Sequence, residues 1–129
     1  MDDTPCVLVC VTGQKTCERL IQEGRKQADE LGAPLSVVHV AQPGAGFLGN
    51  PAEGQAIEYL YKISTEHNAD MALIHSSDVV ATIAQHARRV NAIMLVLGVP
   101  GRGDWAIAHE LRAHLPDAEL HVVYTSGER

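Results

Sequence analysis

The chain has 129 residues, of which 46% are hydrophobic and 20% charged, and its formal net charge is −6. These values are ordinary for one globular domain spanning 1–129, and the negative charge disfavours non-specific binding to nucleic acid or to an anionic membrane. One Trp, one Phe and three Tyr are too few for an aromatic platform that stacks bases. No apolar run reaches the roughly 18 residues of a membrane span, and the acidic N-terminus is not signal-like. We therefore expect a cytoplasmic protein with neither a nucleic-acid nor a membrane partner.

The three cysteines fit that compartment. Cys6 and Cys10 lie in one apolar segment, about 13 Å apart if it is a strand, which is too far for a disulfide. Cys17 opens the following helix, and the spacing is not that of a zinc site. We expect all three to be small buried hydrophobic side chains.

Strands and helices alternate in the first part of the chain. The apolar run Cys6–Val11 predicts a strand covered on both faces. The following helix is predicted to run from a Thr16 cap to Leu31, with Gly24 packed closely on the sheet. A second strand is predicted over Leu35–Val40. The inward stripe of the helix would comprise Cys17, Leu20, Ile21, Gly24, Ala28 and Leu31.

The middle of the chain continues the alternation. The glycine-rich stretch 41–49 is expected to be a mobile loop, after which Asn50 would cap a helix with Pro51 at its first position. Ala69–His75 is the third predicted strand, and Ser76 or Ser77 would start the next helix. The predicted inward residues are Ala56, Ile57, Leu60 and Tyr61 in the first of these helices, and Val79, Val80, Ile83, Ala84 and Ala87 in the second.

The last part holds the fourth and fifth predicted strands. Ala92–Leu97 is predicted to be an apolar strand, and it is followed by a loop that contains Gly98, Gly101 and Gly103. A helix over Asp104–His114 would follow, burying Ile107, Ala108, Leu111 and Leu115. Glu119–Tyr124 alternates in polarity, which is typical of an edge strand.

This alternation predicts an α/β fold with a five-stranded parallel sheet in the order 3-2-1-4-5 and helices on both faces. In such a sheet, ligands bind outside the carboxyl ends of the strands where the order reverses. The loops Val11–Gly13 and Gly98–Gly103 would then face each other across one crevice. The competing interpretation is that these glycines only allow the chain to turn.

Other motifs favour no alternative class. Gly44–Gly49 matches GxGxxG, but Pro43 precedes it and the helix begins only after it, so a flexible loop is favoured over a dinucleotide site. There is no phosphate-binding GxxxxGK[ST] motif. A phosphorylated receiver domain needs acidic residues after the first strand and an Asp at the end of the third, where this chain has Thr12 and His75.

Among the seven histidines, His39 and His75 end adjacent strands and could both reach the crevice. Satisfied core or rim histidines are favoured there over a metal site. No nucleophile and base are paired by their positions at strand ends, so we expect neither catalytic residues nor a metal.

The order and spacing of four apolar segments, 7–11, 35–40, 93–101 and 121–123, resemble the universal stress protein family across essentially the whole chain. In detail, 10–13 and 77–84 are more similar to the branch found in KdpD-type potassium sensor kinases. The resemblance implies a flavodoxin-like fold of the adenine-nucleotide α-hydrolase type. It also implies a homodimer through the last strand, here Leu120, Val122 and Tyr124, and ATP binding in only some members.

The family's binding residues match this chain in part. Val11 and Thr12 match positions that line the adenosine pocket, and Val40 matches the one that packs on adenine. Gly98 and Gly101 match the first two glycines of the ATP motif. The motif then departs, because Leu111-Arg112 stand in place of Gly-Ser or Gly-Thr, and Gly13 replaces an acidic residue. Arg102, Gly103 and the helix N-terminus after Asp104 could replace some phosphate contacts, although the Asp104 carboxylate would repel phosphate.

Two hypotheses follow. The first is a regulatory, stress-response domain that binds ATP or another adenine nucleotide. Its predicted site residues are Val11, Thr12, Gly13, Val40, Gly98, Gly101, Arg102 and Gly103. The second is a dimeric protein-interaction module of a signalling pathway, acting beside a kinase without a nucleotide. An enzyme is not expected, although slow ATP hydrolysis would be compatible with bound ATP.

Overall fold

Five strands and four helices alternate in the part of the chain that the computed structural model describes: residues 4–44, 46–49, 52–99 and 106–124, without the side chains of Gln14 and Lys15. The strands are β1 (Cys6–Cys10), β2 (Leu35–Ala41), β3 (Ala69–His75), β4 (Ala92–Val99) and β5 (Glu119–Tyr124). The helices are α1 (Gln14–Leu31), α2 (Glu53–Glu66), α3 (Val79–Arg89) and α4 (Ala106–His114). A short 3₁₀ turn spans Phe47–Gly49.

The strands form one parallel sheet in the order β3-β2-β1-β4-β5, which confirms the predicted topology. Every residue of β1 is buried, as expected for a central strand whose two faces are both covered. β5 lies at one edge, as its alternating pattern predicted. The order reverses at β1, because the chain moves to β2 and β3 on one side and later to β4 and β5 on the other.

Side-chain alternation along β1 separates two cores, which confirms that helices cover both faces. Val7, Val9 and Val11 point into the core beneath α1 and α2. Leu8 and Cys10 point into the core beneath α3 and α4. All three cysteines are free and buried, as predicted. None of the described helices combines the length and apolarity needed to cross a bilayer.

Gly24 brings α1 into close contact with the sheet, as its position in the helix predicted. A Cβ atom placed on Gly24 would lie 2.2 Å from Cγ2 of Val9 and 3.1 Å from Cδ1 of Leu35. The Val9 side chain would have to shift to admit a methyl group, and the Leu35 methyl would have to give by a few tenths of an ångström. The helix therefore accepts the conformational cost of a glycine in exchange for a short distance to β1 and β2.

Several element boundaries differ from the prediction because local hydrogen bonds decide them. α1 begins at Gln14 behind an extended Gly13, while the Thr16 hydroxyl donates to the Gly13 carbonyl at 3.4 Å. α3 is capped by Asp78, whose carboxylate accepts from the Ala81 amide at 3.1 Å, rather than by either serine. α2 begins at Glu53 behind an Ala52 N-cap without a side-chain hydrogen bond, so it starts later than the predicted Asn50–Pro51. Asn50, Pro51 and the predicted cap Asp104 themselves lie outside the described residues.

β4 is longer than predicted, because it continues through Gly98 to Val99. Gly98 pairs with Val123 and Val99 with Tyr124, so the edge strand β5 extends the ladder beyond Leu97. Gly98 is therefore a strand residue and not part of the glycine loop.

Three side chains predicted to face inward are exposed. Tyr61 is 62% exposed because α2 buries Ala56, Leu60, Ile63 and Ser64, and Tyr61 lies on the flank of that stripe. Leu31 is 50% exposed at the last residue of α1, where Gly32 turns the chain away. Ile107 is 48% exposed in the first turn of α4, whereas Ala108, Leu111 and Leu115 are buried as predicted.

The prediction of a mobile loop over 41–49 is wrong for its C-terminal part. Phe47 and Leu48 are buried and belong to the core beneath α1 and α2. Two apolar side chains in an otherwise small and polar loop anchor it to the sheet, because their burial removes them from water.

Candidate functional site

A crevice of about 200 Å³ opens between the carboxyl ends of β1 and β4, on the side of the sheet covered by α3 and α4. It lies at the point where the strand order reverses, which is where open α/β sheets bind ligands. Its floor comes from the strands and its walls from the first turns of the two helices. The lining residues are Cys10, Thr12, Val79, Ile83, Leu97, Gly98, Val99, Ala106, Ile107 and Ala108.

Two of the predicted site residues, Thr12 and Gly98, line this crevice. Val40 is half-buried on the same side of the sheet, where it packs against the core beneath α3 and α4. Gly13 is the N-cap of α1 and does not line the crevice. Gly101, Arg102 and Gly103 lie outside the described residues, so their part in the site stays a prediction.

Val11, although predicted as a site residue, does not line the crevice. Its side chain is buried in the opposite core, beneath α1 and α2. Its amide donates to the Val38 carbonyl at 3.0 Å, and its carbonyl lies 2.8 Å from Nδ1 of His39. A ligand in the crevice would therefore contact the side chains of Cys10 and Thr12.

The chemistry of the lining suits a flat apolar group. Most of the lining side chains are aliphatic, and the Thr12 hydroxyl supplies a polar atom near the mouth. Burial raises the pKa of the Cys10 thiol to about 12, so the sulfur stays protonated and is not a nucleophile.

Sequence reasoning assigned Val79, Ile83 and Ile107 to the core and missed their place in the crevice. All three lie in the helices that follow β3 and β4, at or near the first turn. The signal that could have found them is topological, because helix starts meet strand ends at this edge of a parallel sheet.

The departure from the ATP motif has a structural basis. Val99 ends β4 and Ala106 begins α4, so Leu111 and Arg112 lie inside the helix. Leu111 is fully buried in the core. The two residues that stand where the resemblance implies Gly-Ser or Gly-Thr are therefore helical residues in this chain.

The two histidines at the strand ends have different surroundings. His39 is buried; Nδ1 faces the Val11 carbonyl, and Nε2 accepts from the Leu48 amide, each at 2.8 Å. This confirms the expectation of a satisfied core histidine. His75 is half-exposed, stacks on Phe47 with ring centres 4.5 Å apart, and lies 3.7 Å from the Glu53 carboxylate. The described residues contain no cluster of three or more candidate metal ligands.

Two further depressions lie away from this site. One, of about 360 Å³, is bounded by the ends of α3 and α4 near Arg88 and His114. The other, of about 490 Å³, follows the free edge of β3 beside Tyr61 and Asp70. Neither lies at the carboxyl ends of β1 and β4.

The universal stress protein family model matches residues 6–108, so the chain belongs to the universal stress protein family. The sensor protein KdpD of two Mycobacterium tuberculosis strains is 33% identical over 100 residues. That match covers 78% of this chain and 11% of the relative, so this chain corresponds to a small part of that sensor protein's sequence.

Solved structures support the same fold. A universal stress protein in complex with cAMP superposes with a TM-score of 0.70 at 15% identity, covering 95% of this chain and 98% of that one. The universal stress protein of Archaeoglobus fulgidus in complex with dAMP gives a TM-score of 0.63 at 18% identity, with coverages of 95% and 98%.

Proposed function

We propose that this chain is a regulatory domain that binds an adenine nucleotide in the crevice between β1 and β4. The observation that carries the proposal is the apolar crevice itself, which opens at the reversal of strand order and is lined by Thr12 and Gly98. Universal stress proteins of the same fold have been crystallised with cAMP and dAMP, which supports an adenine nucleotide as the ligand.

The preferred ligand in this proposal is a mononucleotide such as AMP or cAMP, not ATP. The adenine ring would enter the apolar crevice, and a single phosphate would approach the first turn of α4, where helix N-termini favour anions. The Gly-Ser or Gly-Thr that the resemblance implies for a triphosphate is missing, because Leu111 and Arg112 stand at that spacing from Gly101. Because the Cys10 thiol is protonated, we propose binding without catalysis.

The identity of the ligand can be tested on the purified protein. Mass spectrometry of the solution after denaturation would detect a co-purified nucleotide, and calorimetry would measure the affinity for AMP, cAMP and ATP, with GMP as the control for the base. We expect AMP or cAMP to bind more tightly than ATP, and GMP to bind weakly. The absence of both released ligand and binding heat would contradict the proposal.

The position of the ligand can be tested with two exposed isoleucines. Ile107 lines the crevice, whereas Ile93 lies at the opposite end of β4. We expect Ile107→Glu to weaken AMP binding by about tenfold or more, because it places a carboxylate beside the phosphate. Ile93→Glu adds the same charge and should leave the affinity unchanged. Equal effects of the two changes would contradict binding in the crevice.

A second candidate function is a dimeric interaction module that uses β5. The observation in its favour is that β5 is an edge strand with Tyr124 52% exposed at its end, and an unpaired strand edge is a ready site for pairing. Light scattering should then give twice the mass of one chain. Val122→Lys should give the mass of a monomer, while Asp70→Lys on the opposite edge strand should keep the dimer; a monomer at every concentration would exclude it.

The setting that we propose is a signalling pathway in the cytoplasm. The similarity to part of KdpD supports a kinase or another signalling protein as the partner. The three free, buried cysteines fit a reducing compartment. Binding to the purified cytoplasmic part of a cognate sensor kinase, with and without AMP, would test this setting.

A further inference from the structure

His39 connects two segments that are distant in sequence: the end of β1 and the 3₁₀ turn Phe47–Gly49. Its ring is buried, with Nδ1 2.8 Å from the Val11 carbonyl and Nε2 2.8 Å from the Leu48 amide nitrogen. A backbone amide can only donate, so Nε2 accepts. The proton therefore lies on Nδ1, which donates to Val11, and one neutral tautomer satisfies both partners.

The turn needs this contact because its backbone is strained. Leu48 has φ 57° and ψ 23°, which is left-handed geometry that a non-glycine residue rarely adopts. Burial of Phe47 and Leu48 and the edge contact between Phe47 and His39, with ring centres 5.7 Å apart, oppose that strain. The bond between the Leu48 amide and His39 fixes the strained residue itself.

A second proton on His39 would break this arrangement. It would occupy Nε2 and point at the Leu48 amide, leaving two donors 2.8 Å apart with no acceptor between them. The bond from Nδ1 to Val11 would survive, since a charged imidazole still donates there. Protonation would therefore release the turn while the ring stays attached to β1.

The surroundings of His39 oppose that proton near neutral pH. Burial lowers its pKa below the usual 6.5, the bond to the Val11 carbonyl acts in the opposite direction, and the His75 imidazole on β3 lowers it further. Glu53 on α2 lies 3.7 Å from His75. On α1, the Cys17 thiol in the same core is neutral, because burial raises its pKa to about 12. The groups of β1 and of the turn that face the ring are the Val11 carbonyl and the Leu48 amide, and neither is charged.

We propose that His39 is a positioning residue that couples the end of β1 to the 3₁₀ turn, and that its protonation in acid releases the turn and exposes Phe47 and Leu48. Thr12, which directly follows Val11, lines the crevice proposed for the nucleotide. If the crevice binds a nucleotide, release of the turn would also loosen the nucleotide site. Only this effect on nucleotide binding rests on the proposed function; the coupling between His39 and the turn does not.

The test follows His39 and the turn together by NMR on the free protein. Long-range ¹H–¹⁵N spectra report the tautomer and titration of His39, and hydrogen exchange, corrected for the intrinsic rate, reports protection of the Leu48 amide. We expect the Nδ1–H tautomer at neutral pH and a loss of Leu48 protection of about tenfold as His39 titrates, the factor that one such bond is worth. The Ala33 amide, bonded to the Ala28 carbonyl, should stay protected.

Two variants separate positioning from general stability. His39→Gln keeps an acceptor for Leu48 but cannot titrate, so it should keep the protection and remove its pH dependence. His75→Gln removes the neighbouring imidazole and should keep the pH dependence. If His39→Gln fails to fold, the titration of the wild type and of His75→Gln still tests whether protonation of His39 releases the turn.

The proposal is overturned if Leu48 stays protected while His39 titrates, or if Ala33 and Leu48 lose protection together. It is also overturned if His75→Gln abolishes the pH dependence. All readouts come from protein without nucleotide. Failure of AMP to bind would therefore count against the proposed function and not against the coupling.

Discussion

Gly24 illustrates how one absent methyl group sets the distance between a helix and the sheet. A Cβ atom there would overlap Val9, on a fully buried central strand that has little freedom to move aside. By contrast, Gly54 in α2 has open space around the same position. Replacement of glycine by alanine is therefore expected to affect stability in opposite directions at the two positions.

We predict that Gly24→Ala lowers the free energy of unfolding by about 1–3 kcal/mol, because overpacking outweighs the gain of about 1 kcal/mol in helix propensity. Gly54→Ala should leave the stability unchanged or raise it by up to about 1 kcal/mol. Urea denaturation of both variants and the wild type measures the difference. A Gly24→Ala protein as stable as Gly54→Ala would show that α1 can move away from the sheet at little cost.

At the residue scale, the sequence predicted most of the core but not the flanks of each helix. Leu20, Ile21, Leu60 and Leu111 are buried as their spacing indicated. Tyr61 and Ile107 are exposed instead. The helical period predicts which side chains share a face of the helix, but it does not predict how much of that face the sheet covers. Only the packed structure determines which side chain at the margin remains in water.

At the element scale, α3 starts at an Asp78 cap and not at either of the serines that the sequence predicted. Asp78 accepts the Ala81 amide, whereas the Ser76 hydroxyl is bonded to the Thr82 hydroxyl at 2.7 Å and also accepts the Asp78 amide at 3.2 Å. Ser77 is exposed. The carboxylate therefore satisfies a helix amide that would otherwise lack a partner.

We predict that Asp78→Ala lowers the free energy of unfolding by about 1 kcal/mol, while Ser77→Ala changes it by less than about 0.5 kcal/mol. Chemical denaturation at constant pH distinguishes the two. Equal losses would mean that the cap assigned to Asp78 does not stabilise α3.

A second connection between elements joins α1 to the edge strand β5. The Glu23 carboxylate lies 2.7 Å from Nε2 of His121. Burial raises the pKa of Glu23, but hydrogen bonds from Gln27 and His121, with the charges of His121 and Lys26, outweigh it, so the net pKa is lowered. A carboxyl whose folded pKa is lowered stabilises the fold above its unfolded pKa and loses that contribution as the pH falls.

We therefore predict that the advantage of the wild type over Glu23→Gln is present at neutral pH and is lost as the pH falls from the ordinary carboxyl pKa of 4.5 through the lower pKa of the folded state. Denaturation at a series of pH values measures it, with Glu30→Gln on the same helix as the control for net charge. A difference that is independent of pH would contradict the assignment.

The elements also show where sequence reasoning stops. Strand positions and order followed from apolar runs and the handedness of parallel crossovers. The extension of β4 through Gly98 did not, because it depends on pairing with β5, which is distant in sequence. The packed turn at Phe47–Leu48 did not either, because its anchor is His39 across the end of the sheet.

At the scale of the whole molecule, family and fold agree, and the ligand remains a proposal. The sequence predicted a site from topology and from the match of Val11, Thr12, Val40, Gly98 and Gly101 to the family, and of these Thr12 and Gly98 line the crevice in the part of the chain that the structure describes. It could not show that the Val11 side chain points into the opposite core, or that Val79 and Ile107 wall the crevice. Those facts depend on how the helices cover the sheet.

The most direct test of nucleotide binding in the crevice is an NMR titration of labelled protein with AMP. We predict saturable shifts of the Thr12 and Gly98 amides and of the Ile83 and Ile107 methyl groups, with Ile93 and Tyr61 unaffected. Shifts confined to other surfaces, or none at about 1 mM AMP, where even a binder worth only about 4 kcal/mol would be half-saturated, would contradict the account.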